Sequence, residues 1–544
     1  MTTTPATGRR IGGHVVVETL AALGAQVAFG VPGVHALAMW DALRTSEVRA
    51  FGTRTELCAG FAADGYARSS GRPAPLLLST GPGALNSLTA LMEAARAHVP
   101  VVAISSQIPR ELLGTHRGYL HKLDGQLASF APIVKHAARA ESTEAIAAMV
   151  AEAWAIALTP PSGPVYLEIP VDVLRAQAGS DAAPAPNLDP PAPQPASPQS
   201  VSEAAALLAG AERPVLWAGG GVLRSGARTE LAMLAETLDA PVVSTFMGKG
   251  AIDEGHPLAV GSGCDEAAVL ELLADADVVL AVGTELGADT TDQYRLRFDG
   301  RLIHLDAAPE RIGVSYPALP LVGDARATLI ALLTGLPEAS GRAAGAERAA
   351  KVRERIAAGL ATQAREDELA LLGAVERALP PDAVSTWDMT ILAYWAAAHL
   401  RLGAGQQFHY PLGSGTLGYA WPAALGAAAA GSDRKVLAVC GDGGFAYGMA
   451  ELATARQHDV DATLLVVDDG GYGILREYQR ADYAETVAVD LAQPDLVRMA
   501  EAFGVPVRGG GIDAAEQNLR WALELDGPAV VVVKARLVAA LPTS

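Results

Sequence analysis

The sequence predicts an α/β protein built on parallel sheets, and three observations predict it. Short apolar runs alternate with helix-length stretches along most of the chain. The runs are continuous instead of alternating with polar residues, which is how strands buried on both faces read. Several of them end in turns that carry glycine, polar residues or acids, as the ligand-binding edge of such sheets does. At 544 residues the chain is too long for one core, so two to four such domains are expected. A hydrophobic content of 50%, a charged content of 19% and 56 glycines suit buried α/β layers and not a disordered chain.

Composition also excludes function classes. A net charge of -19 argues against nucleic-acid or anionic-membrane partners, which need clustered Lys and Arg. Cys58, Cys264 and Cys440 are widely spaced with no CxxC, so neither a disulfide framework nor a zinc site is indicated and a reducing cytoplasm is expected. Residues 1–10 lack the apolar core of a signal peptide, and no apolar run reaches the roughly 18 residues that span a bilayer. No GxxxxGK[ST], HExxH or GxSxG occurs, which removes the usual support for P-loop, zincin and α/β-hydrolase chemistry.

In the N-terminal third, strands are expected at residues 26–29 (QVAF), 75–78 (PLLL), 100–104 (PVVAI) and 164–169 (PVYLEI). The first three lead into Gly30-Val31-Pro32-Gly33-Val34-His35, Ser79-Thr80-Gly81-Pro82-Gly83 and Ser105-Ser106-Gln107, which would line one rim. Arg54-Thr55-Glu56 precedes a helix-like run over 57–71, so locally Thr55 reads as an N-cap and Glu56 as a first-turn acid. The loop over 113–126 holds His116, Arg117, Tyr119, His121, Asp124 and Gln126. Imidazoles at such a rim can deliver a proton at physiological pH.

Residues 181–200 are rich in Pro and Ala, the composition of a semi-extended linker. Beyond it, strands at 214–217, 240–243, 277–282 and 301–305 predict a second α/β domain reaching about residue 340. Its Gly219-Gly220-Gly221 turn does not complete GxGxxG, since the next glycine is Gly226. A charged, Ala-rich stretch over 343–364 reads as a helical connector, and the last domain starts near Leu369. Within it, residues 413–422 (GSGTLGYAWP) form a glycine-rich loop ahead of an Ala-rich helix.

Two further strands follow at 435–440 (KVLAVC) and 463–467 (TLLVV), joined by a crossover helix over 447–457, so they run parallel. Each leads into acid and glycine: Gly441-Asp442-Gly443, then Asp468-Asp469-Gly470-Gly471-Tyr472-Gly473. Two carboxylates and two glycine-rich turns then face one crevice. Hard oxygen ligands suit Mg²⁺ or Ca²⁺, and glycines let backbone N–H groups approach phosphate oxygens, so the stretch reads as a metal-bridged diphosphate site.

This pair of turns resembles the signature of thiamine diphosphate (ThDP) enzymes, GDG followed one β-α-β unit later by Asn-Asn. Here Asp468-Asp469 replaces that pair and adds a negative charge beside a diphosphate. Arg54-Thr55-Glu56-Leu57, Ala63-Asp64-Gly65-Tyr66-Ala67-Arg68 and Gly81-Pro82-Gly83-Ala84-Leu85-Asn86 resemble the pyrimidine-binding domain of acetolactate synthase-like and 2-oxo acid decarboxylase-like members. The resemblance implies three doubly wound parallel-sheet domains: a pyrimidine-binding domain over 1–180, the linker, a central domain over 201–342, a connector over 343–368, and a diphosphate- and Mg²⁺-binding domain over 369–544. It implies that Glu56 contacts N1′ of the aminopyrimidine and favours the imino tautomer that deprotonates thiazolium C2. Asp442, Asp469 and the Gly471 carbonyl would hold Mg²⁺. Pro32, Gly81, Asn86, Gly443, Gly444, Tyr472 and Gly473 would line the cofactor, with Gly415 accepting from the 4′-amino group and Leu417 wedged between the rings. Some members hold FAD or ADP in the central domain and others hold nothing, and FAD is the less favoured expectation here.

The implied activity is decarboxylation of a small 2-oxo acid through a C2-carbanion and enamine. The histidines tilt the reading that way, because decarboxylase-like members carry a His-His pair in the loop that here holds His116 and His121, and His35 follows a Gly-x-Pro-Gly turn. The alternatives are an acetolactate synthase-type carboligase and, less favoured, a non-catalytic homologue. The implied assembly is a homodimer or homotetramer with active sites between subunits.

Overall fold

A computed structural model of the chain describes residues 9–179, 192–336, 344–431 and 433–543. Among these residues, eighteen strands fall into three six-stranded sheets in which every pairing is parallel. The first holds β1 (Val27–Gly30), β2 (Arg49–Gly52), β3 (Ala74–Leu78), β4 (Val101–Gln107), β5 (Ala137–Arg139) and β6 (Val165–Pro170), in the order β2-β1-β3-β4-β6-β5. The central sheet holds β7 (Pro214–Ala218), β8 (Val242–Ser244), β9 (Ala259–Gly261), β10 (Val278–Val282), β11 (Arg301–Asp306) and β12 (Leu319–Val322), in the order β12-β11-β10-β7-β8-β9. The third holds β13 (Val384–Trp387), β14 (Gln407–His409), β15 (Val436–Gly441), β16 (Thr463–Asp468), β17 (Val507–Gly510) and β18 (Ala529–Lys534), in the order β14-β13-β15-β16-β18-β17. The first and third sheets therefore share one topology, while the central one reverses at β7 and β10. Open α/β sheets bind ligands at such reversals, outside the carboxyl ends of the strands.

The helices that position the site are α1 (Glu56–Ser70), α2 (Leu88–Arg96), α3 (Ala420–Ala429), α4 (Asp442–Gly448), α5 (Glu451–Gln457) and α6 (Gly473–Asp482). Thr55 caps α1 through its side chain, which accepts from the Cys58 N–H at 3.2 Å, and Gly71 ends it in the left-handed conformation. The central strands are fully buried because helices cover both faces, which is why their sequences do not alternate.

One core spans the first and third domains. Ala59, Ala62, Ala63 and Tyr66 of α1 lie in it together with Ala420, Trp421, Ala424 and Leu425 of α3. The two helices cross with almost no side-chain spacer: a Cβ on Gly65 would stand 2.0 Å from the Ala423 carbonyl oxygen, and one on Gly426 1.8 Å from that of Ala62.

Three expectations need correction. The crossover expected as one helix over 447–457 is two, α4 and α5, and α4 already begins at Asp442. The short strands β2, β5, β9 and β12 were invisible as apolar runs, because each is three or four residues long and forms an edge of its sheet. Residues 181–191 of the expected linker lie outside the described residues, and from Pro198 that stretch is helix. The connector is helical over Gly345–Ala361. Among the described residues, no helix is long and apolar enough to cross a membrane.

Candidate active site

The carboxyl ends of β15 and β16 bring Asp442 and Asp469 together, as parallel neighbours must. The Asp469 N–H points at Asp442 Oδ1 at 3.5 Å, and Asp442, only 1% exposed, keeps its Oδ2 buried with no protein partner. Burial, and then the Asp442 charge, pushes the Asp469 carboxyl up to about 6; burial also raises Asp442. Two like charges held this close call for a cation between them. Gly471 lies in the turn that follows Asp469. Its backbone sits at φ +159° with a Cβ position 2.0 Å from the Val489 carbonyl oxygen, so only glycine fits, and its own carbonyl oxygen lies 3.1 Å from the Cβ position of Gly443. The Tyr472 ring covers the same glycine, and Gly473 lies against the Asp469 carboxylate.

Among the described residues, no group of three or more His, Cys, Asp or Glu side chains could hold a metal. Two carboxylates and one carbonyl make instead a half-open site, the kind Mg²⁺ completes with phosphate oxygens and water. The residues present therefore fit a Mg²⁺-bridged diphosphate. The extra charge of Asp469 has a counterpart that the sequence reading missed. Arg476 of α6 is 5% exposed, bonds Asp490 at 2.9 Å and places Nη1 3.7 Å from Asp469.

At the carboxyl end of β13 stands an unforeseen acid, Asp388, 1% exposed. Its carboxylate accepts the N–H groups of Met389 at 2.8 Å, Gly418 at 2.9 Å and Ala420 at 3.4 Å. Burial outweighs these bonds and pushes it up to about 6. Asp388 lies beneath Gly444, whose Cβ position is 3.0 Å from its Cγ, and it fixes the end of the segment carrying Gly415 and Leu417. Gly415 is in the left-handed region and exposed, with Leu417 half-buried. The signal that could have found Asp388 is an acid directly after a strand; the strand itself, VSTW, is too short and too polar to stand out.

On the first sheet, Glu56 is the first residue of α1 and half-buried, and the exposed Asn86 donates to its Oε2 at 3.2 Å. Gly83 closes against its other oxygen. The loop after β1 carries Pro32, exposed, and His35, 4% exposed. The loop after β4 brings His121 to 5.3 Å from His35, ring to ring, with Tyr119 stacked on His35 at 5.7 Å. Both Nδ1 atoms are buried without a partner. Burial lowers the His35 pKa, and the neighbouring His121 and Arg175 charges lower it further. Gly81 lets the His121 backbone pass, its Cβ position being 2.5 Å from the His121 carbonyl oxygen. The Gly81 N–H donates to Gln126 Oε1 at 2.7 Å, and Gln126 Nε2 reaches Tyr166 and Glu168, which anchors the loop to the sheet. His116 is exposed, and among the described residues no hydrogen bond or ring contact joins it to the pair.

The structure thus gathers the expected residues in two sets, Glu56, Asn86, Gly81, His35 and His121 on the first sheet and Gly415, Leu417, Asp442, Asp469 and Gly471 on the third. At the central sheet, Gly221 and Gly283 touch at the β7 and β10 reversal, beside a cavity of about 1000 Å³ that Arg224 and Arg311 also line.

The chain matches the family model for the thiamine pyrophosphate enzyme N-terminal TPP binding domain over residues 10–128, the central domain over 201–332 and the C-terminal TPP binding domain over 388–533. It is 38% identical over 527 residues to a probable 2-ketoarginine decarboxylase of Pseudomonas aeruginosa, covering 96% of this chain and 93% of that protein. It is 32% identical over 552 residues to a probable acetolactate synthase large subunit of Methanocaldococcus jannaschii, covering 98% and 93%. An acetolactate synthase large subunit of Mycobacterium tuberculosis is 34% identical over 516 residues, covering 91% and 82%.

Proposed function

The chain belongs to the thiamine pyrophosphate enzyme family, and on that footing we propose that it is a ThDP- and Mg²⁺-dependent 2-oxo acid decarboxylase. When bound, ThDP supplies the electron sink for the bond next to the 2-oxo group. Asp442, Asp469 and the Gly471 carbonyl would hold the metal, and Gly443 and Gly444 would let the diphosphate approach the backbone. Glu56, oriented by Asn86, would hold and return the proton at N1′ of the pyrimidine.

The observation that carries decarboxylation over ligation is the His35 and His121 pair. Two imidazoles 5.3 Å apart, each with a buried and unpartnered Nδ1, can hand a proton to the carbon that loses CO₂ before a second carbonyl arrives. The similarity to the probable 2-ketoarginine decarboxylase supports this reading and makes a 2-oxo acid with a cationic end the first substrate to try. The acetolactate synthase relatives support the carboligase as the second reading.

The proposal includes a homodimer or homotetramer in which Glu56 of one subunit serves the third domain of another. Glu56 and Asp442 stand on different sheets, with no hydrogen bond or ion pair between their sets among the described residues, which supports that arrangement. It also includes a reducing cytoplasm, supported by three buried, unpaired cysteines.

The test is product analysis over a panel of 2-oxo acids, 2-ketoarginine and pyruvate among them, with Mg²⁺ and ThDP. Aldehyde and CO₂ in equal amounts are expected, and His35→Ala or His121→Ala should slow aldehyde release more than CO₂ loss. A wild type that makes only acetohydroxy acid from pyruvate, indifferent to both substitutions, would replace this reading with the carboligase.

A further inference from the structure

Asp64, Arg68 and Glu93 form a buried charged triad between the first and third domains. The two acid side chains are 0% exposed and Arg68 is 11% exposed, with Nε 2.6 Å from Asp64 and Nη2 3.1 Å from Glu93. Burying three charges costs more than their pairing returns unless the remaining lone pairs also find donors. Here the donors come from the other domain. Glu93 accepts from the Gly413 N–H at 3.2 Å, the Ser414 N–H at 2.7 Å and the Ser414 hydroxyl at 2.9 Å. Asp64 accepts from the Tyr419 hydroxyl at 2.6 Å, and the Arg68 guanidinium stands 5.5 Å from the Tyr419 ring.

Residues 413–419 are therefore held at both ends by acids of α1 and α2, and near the far end by Asp388 as well. Between the two grips lie Gly415 and Leu417. A glycine-rich segment such as this has little of its own to fix its shape, so the grips decide where the Gly415 carbonyl points and how far Leu417 projects.

We propose that Glu93 is a positioning residue for cofactor binding: it presents the Gly415 and Leu417 segment of the third domain from a buried seat in the first domain of the same chain. The proposal rests on the reading of that segment as a cofactor contact. The first domain then acts twice, through Glu56 at one site and through Glu93 at the segment it braces.

Glu93→Gln keeps the size of the side chain but turns one acceptor oxygen into an NH₂ that faces the Gly413 or Ser414 donors. At saturating Mg²⁺, calorimetry should show ThDP affinity weakened roughly 10- to 100-fold, the range for a buried donor left unsatisfied. The near-ultraviolet circular dichroism of the bound cofactor should change as well. Ser414→Ala, which removes one donor from the other side and leaves the triad intact, should weaken ThDP in the same direction by a smaller factor. A folded Glu93→Gln with wild-type affinity and an unchanged cofactor spectrum overturns the proposal. If that variant does not fold, wild-type affinity and spectrum in Ser414→Ala overturn it. A wild type that binds no ThDP with Mg²⁺ present would instead sink the cofactor reading on which it rests.

Discussion

Glu56 and Asp388 are both carboxyl groups near the expected cofactor, and their surroundings ask different things of them. Glu56 stands half-buried at a helix N-terminus with one amide donor, open to a partner that exchanges protons. Glu56→Gln keeps shape and hydrogen bonding but cannot exchange the proton, so the rate should fall roughly 10²- to 10⁴-fold, the usual contribution of a positioned acid–base group. ThDP affinity should change far less. Hydrogen–deuterium exchange at cofactor C2 checks it, and exchange at the wild-type rate in the variant contradicts the role. Asp388 is sealed in, and its carboxyl is raised from 3.8 to about 6 by burial. Between those values the folded protein keeps a proton that the unfolded chain has released, so the stability Asp388 contributes is full below the lower value and lost as pH rises through the upper one. Relative to Asp388→Asn, the cofactor-free wild type should lose up to about 3 kcal/mol over that range. Calorimetric melting of both proteins across it would show the difference, and parallel pH profiles would contradict it.

At the scale of elements, the crossing of α1 and α3 decides where the site residues of two domains stand. Gly65 and Gly426 allow backbone to lie on backbone at that crossing. Gly426→Ala would drive a methyl to 1.8 Å from the Ala62 carbonyl oxygen, and rigid main chain cannot yield as a side chain would. The expected cost is at or above the usual 1–3 kcal/mol of overpacking, roughly, and a thermal midpoint within a degree of wild type would contradict it. Gly431→Ala is the comparison, since that position is left-handed but has open space, and its penalty should be the smaller one of backbone strain alone. The loops behave differently from the helices. His35 and His121 meet because β1 and β4 deliver two loops to one edge, a contact that the loop over 113–126 does not encode by itself.

For the whole molecule, the first and third domains repeat one strand order, and their carboxyl edges each carry one of the two sets of candidate residues. If subunits complete one another, mixing two inactive variants restores activity. Glu56→Gln and Asp442→Ala homodimers, unfolded and refolded together, should yield about a quarter of wild-type activity, because half the dimers are mixed and each mixed dimer has one intact site of two. Activity no higher than that of the separate variants, with mixed dimers present by mass, would place Glu56 and Asp442 of one site on one chain.

The fold class was legible in the sequence, and so was the meeting of Asp442 with Asp469. Both depend on contiguous residues: a continuous apolar run marks a strand buried on both faces, and acid with glycine at the ends of two successive parallel strands must come together whatever the rest of the chain does. Thr55 as N-cap was local for the same reason. The tertiary structure alone decided the rest. That His121 and not His116 faces His35, that Arg476 stands beside Asp469, that Asp388 lies under Gly418 and that Glu93 holds Ser414 are contacts between residues brought together from distant parts of the chain or from opposite sides of a loop. No local pattern records them. They arise only when α1 closes on α3 and the sheets are ordered, because desolvation then makes each buried charge find its partner wherever the packing has put one.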